Sequence, residues 1–230
     1  MKCKFCNGSC IKKGFQTSNY QRKQRFQCST CRKYQLEDYS YKLYEMNSDK
    51  EIIHLNSEGL SISGMSRFLG YSKQTIIRRI KYLASLVKTP IILDYNQIYE
   101  VDEMWTYIGN KNNPIWITYA INRKTHQVIS YCIGARTKKN LNKVIAPLKM
   151  LSPKKIVTDR LNTYPSLVKP EKHDTTRYRN NRIERCNLTL RQHLKRLSRK
   201  TICYSKSKEM LEASLILYLF WNNWSVDEFN

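Results

Sequence analysis

Between residues 97 and 224 the apolar pattern switches between a period of two and a period of 3.6, and this switch limits the possible folds more than any other feature of the chain. Gln97 to Tyr107, Ile115 to Ile121 and Gln127 to Ile133 read as strands, with turn-forming stretches at Gly109–Pro114 and Asn122–Thr125 between them. Connections this short predict an antiparallel meander. Leu141, Val144, Ile145 and Leu148 then recur at helical spacing and predict a helix over Lys138–Met150. Lys155 to Thr158 is a short apolar strand that ends in Asp159. A second patterned helix, Arg182 to Leu197, turns Ile183, Leu190, Leu194 and Leu197 to one side.

Three strands, a helix, a fourth strand and then helices is the RNase H-like order, so residues 97–224 are expected to form an α/β catalytic domain. In that architecture the middle of the first strand and the end of the fourth lie side by side. A later helix brings a third group across them. Those three places hold Asp102, Asp159 and Glu184. Asp102 shares its strand face with Ile98, Glu100 and Met104, and alternation sends Glu103 to the other face. Glu100 ranks below Asp102 as a ligand. Asp159 is the only acid between Glu103 and Glu171, and it sits where the active-site residues of α/β sheets gather. Taken singly, a strand-end Asp also fits a turn, and Glu184 also fits a surface position in a basic helix. Taken together, three carboxylates are a minimal set for two Mg2+ (or Mn2+) ions about 3.5–4 Å apart, the arrangement that cleaves and joins phosphodiesters. Arg191 and Lys195 follow Glu184 at helical spacing, an edge suited to holding the phosphates of a bound strand.

Charge points to the same partner. There are 41 Lys and Arg against 18 Asp and Glu, a formal net charge of +23. Such an excess repels itself and adds nothing to a fold, so a polyanion is the expected partner, nucleic acid first. A membrane surface is disfavoured, since no long basic amphipathic segment or lipidation motif is present. The longest apolar run, Leu215 to Trp221, is far short of the roughly 20 residues of a spanning helix. No secretory signal is visible, and the chain is expected in the cytoplasm, at the nucleoid of a prokaryotic cell. Acids are excluded from residues 1–36 and 104–158, and Glu184 is the only one in 175–200.

Two smaller modules precede the catalytic part. Residues 1–36 contain Cys3-x2-Cys6 and Cys28-x2-Cys31, whose four thiolates can close a tetrahedron around one Zn2+. The segment is too small for its own core, so metal would supply its folding free energy. A redox pair or buried free thiols remain the alternatives, and Cys10 is a spare. Lys12, Lys13, Arg22, Lys23 and Arg25, interleaved with Phe15, Tyr20 and Phe26, suit a ribbon facing DNA or an ordinary solvated face. Residues 48–83 read as a helix-turn-helix. Ser48, Ser61 and Ser72 stand at cap positions, Gly59 and Gly70 at breaks, and Pro90 in the joint that follows. The last helix, Lys73 to Leu83, buries Ile76, Ile77, Ile80 and Leu83 and leaves Lys73, Gln74, Arg78 and Arg79 for the major groove.

Three motifs carry a family resemblance: Val101-Asp-Glu-Met-Trp-Thr-Tyr-Ile-Gly109, Val157-Thr-Asp-Arg160 with Tyr164, and Arg182-Ile-Glu-Arg-Cys-Asn-Leu-Thr-Leu-Arg through Lys200. With the Cys pairs and the helix-turn-helix, the chain resembles transposases of the insertion-sequence-one family, within the DDE superfamily. The resemblance implies that Asp102, Asp159 and Glu184 bind the catalytic metals and that Arg191 contacts DNA near them. It implies that the two N-terminal modules recognise the element's terminal inverted repeats. It also implies a homodimer or larger synapse on element ends and target DNA. His173 matches a family His, whereas Cys186 stands where relatives carry one. Family members often join these parts by frameshifting; here they lie in one continuous chain. An RNase H-like nuclease or resolvase and a non-catalytic repressor are the competing functions. The first is disfavoured by two end-binding modules, the second by an intact triad.

Overall fold

The computed structural model describes residues 1–18, 21–37, 46–88, 94–176 and 180–220. Tyr20, Pro90 and Trp221 lie outside them. The chain divides into two compact units, residues 1–45 and 46–230.

The first unit is a three-stranded antiparallel sheet of β1 (Cys10–Ser18), β2 (Gln21–Cys28) and β3 (Tyr34–Leu36). A bulge between Lys12 and Phe15 accommodates Gly14 at φ +74°. Only Cys3, Phe26, Cys28 and Gln35 are buried among the described residues. The Gln35 side chain accepts from Lys4 N at 2.8 Å and donates to Lys2 O at 3.0 Å, tying the N-terminal segment to β3. With so little apolar area, this sheet depends on something other than a core.

The second unit opens with three helices, α1 (Met46–Ser57), α2 (Ile62–Leu69) and α3 (Lys73–Leu86). Ser61 and Ser72 cap α2 and α3 by accepting from Gly64 N and Thr75 N. Ser48 does not cap: α1 starts before it, and its buried hydroxyl meets Tyr71 Oη at 2.8 Å instead. Gly59 is required twice over. Its φ is +74°, and a Cβ there would lie 2.4 Å from the His193 carbonyl oxygen. Ile52, Ile53, Met65, Ile76, Ile80 and Leu83 form the inner face, and Met210, Ala213 and Leu217 of α6 (Lys208–Phe220) complete it. The three helices therefore share their core with an element at the far end of the sequence.

The remaining elements are β4 (Ile98–Tyr107), β5 (Pro114–Asn122), β6 (Val128–Gly134), α4 (Lys138–Met150), β7 (Lys155–Val157), β8 (His173–Asp174) and α5 (Asn181–His193). Their five-stranded sheet runs β6-β5-β4-β7-β8. β4, β5 and β6 form the expected antiparallel meander, while β7 lies parallel to β4 and β8 parallel to β7. This is a mixed α/β arrangement with a mixed sheet, consistent with the RNase H-like order. The two-residue strand β8 was not foreseen, being too short for periodicity to register.

Alternation along β4 divides the core. Tyr99 and Val101 face α4, packing with Leu141, Val144, Ile145 and Leu148. Met104 faces the other way with Ile117, Tyr119 and Ile121, against Ile183 and Leu190 of α5, Leu194 just after it, and Leu211 and Leu215 of α6. Each fully buried aliphatic contributes about 1.5–3 kcal/mol. That exceeds the few tenths per residue that helix propensity adds, so packing, not propensity, fixes where α5 lies. α5 also ends sooner than predicted. Leu194 is extended (φ −98°, ψ 94°), and a short 3-10 turn over Lys195–Leu197 follows. The break lets Leu194 and Leu197 both reach the core, which one continuous helical stripe was expected to achieve.

Candidate active site

β7 stops at Val157, opposite Glu100. Beyond that point β4 keeps β5 on one side, pairing Asp102 with Tyr119 and Glu103 with Thr118, but among the described residues no strand of the sheet pairs with it on the other. Side chains from both faces of β4 can therefore bend around the uncovered edge. Asp102 and Glu103 of β4 meet Asp159, just after β7, there: one carboxylate oxygen from each lies within 4.8 Å of the others. Face alternation alone separated Glu103 from Asp102. The missing neighbour strand is what reunites them, and it could not be read from residue spacing.

Each carboxylate is held by named partners. Asp102 Oδ1 accepts from Glu103 N at 2.8 Å, and Oδ2 accepts from Asn187 Nδ2 at 2.7 Å. Asn187 is in turn fixed by Tyr119, whose hydroxyl donates to its Oδ1 at 2.8 Å. Glu103 Oε1 accepts from Tyr164 Oη at 2.7 Å, and Oε2 accepts from Arg136 at 3.2 Å. The same Arg136 nitrogen reaches Asp159 Oδ2 at 3.3 Å, while Asp159 Oδ1 accepts from Leu161 N at 3.0 Å.

Burial pushes the Asp102 carboxyl up to about 6, with the charges of Glu103 and Asp159 adding to it against the Glu103 N–H and Asn187. Burial likewise raises Glu103, opposed by Tyr164 and Arg136. Tyr164 is held far above the usual phenol range by burial and by Glu103, so it remains a donor. Three carboxylates thus face a single guanidinium, that of Arg136. Oxygens this close suit the coordination sphere of one hard cation, whose cis and trans ligands stand about 3 to 4.2 Å apart. The donor set thus fits Mg2+ or Mn2+.

Glu184 lies in the first turn of α5, exposed, and its carboxylate is not part of that cluster. It stands one turn before Asn187, which grips Asp102, and so shares that helix face. Glu100, considered as a substitute ligand, has a structural duty. Fully buried, its Oε2 accepts from Ile183 N at 3.0 Å, docking the start of α5 on β4. Its Oε1 faces Arg123 Nε at 3.3 Å in an ion pair without hydrogen-bond alignment.

The two cations expected along the edge of Glu184 part company. Arg191 is half-buried and donates to Leu197 O at 2.9 Å. Lys195 falls in the turn after α5, off the helical face, because the helix ends at His193. On α3, Lys73, Gln74 and Arg78 are exposed. Arg79 is instead ion-paired through two nitrogens to Asp49 of α1, and so braces the helices. His173 Nε2 meets Thr158 Oγ1 at 2.8 Å beside Asp159. Cys186 packs against the core of the α5 face, which is compatible with a small apolar side chain. Sequence reasoning had no signal for Arg136, Tyr164 or Asn187 as supports, because their partners lie 23 to 85 positions away.

In the N-terminal unit Cys3, Cys6, Cys28 and Cys31 each place a sulfur within 4.8 Å of the others. Phe5 N and Cys31 N point at Cys3 Sγ and Cys28 Sγ at 3.4 and 3.5 Å. The Cys31 N–H leads the interactions that bring the Cys28 thiol down to about 6. The cluster is compatible with a zinc module, and Cys10 stands outside it.

Residues 97–224 match the IS1 transposase family. Insertion element iso-IS1n protein InsB of Shigella dysenteriae is 41% identical over 115 residues, covering 50% of this chain and 88% of that protein. Insertion element IS1 4 protein InsB of Escherichia coli (strain K12) is 38% identical over 123 residues, 52% of this chain and 72% of that one. Insertion element IS1 protein InsB of Shigella flexneri is 37% identical over 120 residues, 52% and 92%. The chain belongs to the IS1 transposase family. No helix among the described residues is long and apolar enough to cross a membrane.

Proposed function

We propose that the chain is a DNA transposase that cuts the ends of its element and joins them to target DNA using divalent metal ions. The observation that carries this reading is the meeting of Asp102, Glu103 and Asp159 at the uncovered edge of β4. Asp102 and Asp159 would hold Mg2+ or Mn2+, with Glu103 beside them and Glu184 completing the set from α5. Bound ions supply Lewis acidity at the scissile phosphate and lower the pKa of the attacking water or 3′-hydroxyl. The chain supplies the rest. Asn187 and Tyr119 orient Asp102, Tyr164 holds Glu103, and Arg136 offsets the repulsion between Glu103 and Asp159.

Recognition falls to the other parts. Cys3, Cys6, Cys28 and Cys31 would bind one Zn2+ and fix the ribbon. α2 and α3 would act as a helix-turn-helix on the terminal inverted repeats. Lys73, Gln74 and Arg78 would meet the DNA, while Arg79 keeps α3 on α1. Arg191 acts through its hold on Leu197 rather than as a free phosphate ligand. Joining two ends requires a synapse, so at least a dimer on DNA is expected.

Strand transfer of labelled element ends in Mg2+ tests this. Asp159→Asn should lower the rate at least about a thousandfold, ~4 kcal/mol in barrier, and leave end binding nearly unchanged. Strand transfer at the native rate in that variant would sink the assignment.

A further inference from the structure

Away from the carboxylates, a cleft of about 510 Å³ lies between the first turns of α2 and α3 and the stretch Leu194 to Ser207. Its walls carry Lys73, Lys81, Lys195, Arg196 and Lys206, and no carboxylate. Lys81 is paired with Glu209 outside the cleft. Among the described residues Lys73, Lys195 and Lys206 have no acidic partner, and all three are exposed. Like charges lining one cleft repel one another. Gathering this many without a counter-charge costs stability that nothing in the fold recovers.

The wall after α5 is also held in place. Arg196 donates to the buried Ser205 at 3.1 Å. Ser205 O accepts from Gly109 N at 2.9 Å, and Tyr204 stacks at a tilt on Tyr107, their centroids 5.5 Å apart. The facing wall presents the capped starts of α2 and α3, whose partial positive ends add to the same field. A single small anion would meet one or two of these cations. A duplex backbone, with a charge about every 1.7 Å along its axis, meets cations on both walls.

We propose that this cleft grips the sugar-phosphate backbone of the duplex that α3 reads, so that the helical module and the segment after α5 hold one DNA molecule between them. The inference rests on the transposase reading and adds a second, sequence-independent contact to it. Lys195 and Lys206, remote from α3 in sequence, become part of the end-binding surface. Their contact is with phosphate, so it strengthens cognate and unrelated duplexes alike.

The test uses the full-length, zinc-loaded Asp159→Asn protein, which binds without cutting. Fluorescence anisotropy measures its affinity for an element-end duplex and a scrambled duplex across a KCl series. Adding Lys195→Ala and Lys206→Ala should weaken both affinities about tenfold at moderate salt. It should reduce the log–log salt slope by about 2 and leave their ratio unchanged. Lys139→Ala with Lys149→Ala, two exposed lysines of α4, serves as the matched control for lost charge. Equal losses in the control, or an unchanged slope in the cleft variant, would overturn the proposal while leaving the transposase reading standing. Competition by millimolar inorganic phosphate that removes the difference between the two proteins, without duplex-length dependence, would also overturn it in favour of a small-anion site. A parent protein that binds no duplex at all would overturn both readings.

Discussion

The thiol cluster of residues 1–36 and the carboxylate cluster of the mixed sheet could each hold a metal ion, and they are assembled from opposite materials. The thiols come as two tight local pairs, each three positions apart, set at the ends of a small antiparallel sheet. Their surroundings are nearly coreless, so a bound metal would hold that sheet together. The carboxylates come from β4 and from the segment just after β7, elements already fixed by two apolar layers. There the protein would hold the metal. On the proposed reading, the first arrangement would make an ion a part of the fold, and the second would leave one free to act as a reagent.

Removing metal should separate the two most sharply. Zinc chelation is expected to abolish amide protection across residues 1–36, because structural zinc supplies about 10–16 kcal/mol of folding free energy. Protection in β4, β5 and α4 should stay as it was. Hydrogen exchange on the full chain reads both at once, and a protected, chelator-treated ribbon would contradict the contrast.

A smaller effect sharpens the carboxylate side. Glu103 belongs to the cluster, whereas Glu184 does not. Glu103→Gln should therefore weaken Mn2+ binding to the DNA-free protein about tenfold or more, and Glu184→Gln should leave it unchanged. Strand transfer should suffer in both. Equal Mn2+ affinities for Glu103→Gln and the native protein would remove Glu103 from the set.

The smallest expected effect concerns positioning. Tyr119→Phe deletes the hydroxyl that fixes Asn187 and, through it, Asp102. One such hydrogen bond is worth about 1 kcal/mol, so strand transfer at saturating DNA should fall roughly fivefold to tenfold, with end binding intact. Asn187→Ala should match or exceed it. A Tyr119→Phe loss confined to thermal stability would make Tyr119 a core residue only.

The thiol site was legible because its ligands repeat at short spacing, and a motif of that kind needs no knowledge of the fold. Asp159 stood out as an acid alone in a basic stretch, whereas Asp102, with Glu100 and Glu103 beside it, was chosen by strand phase and by the family resemblance. Glu103 was missed because the two-residue period of a strand places it on the far face. Lys195 was misplaced because the apolar stripe of α5 continues past the point where the backbone breaks. Arg79 carried the same exposed, basic signature as Arg78, and only its distance from Asp49 tells them apart.

The sequence by itself determined the order of the longer strands and helices (without β8), the cap serines of α2 and α3, the four thiols and the search for a polyanion. Periodicity, cap chemistry and net charge are local or additive, and they survive without coordinates. Only the tertiary structure decided which carboxylates meet, which arginines are already committed, and that α6 closes the core of helices far from it in the chain. Those outcomes depend on where β7 stops beside β4 and on how α5 bends to bury two leucines. Such competition between packing and backbone geometry leaves no trace in the spacing of residues.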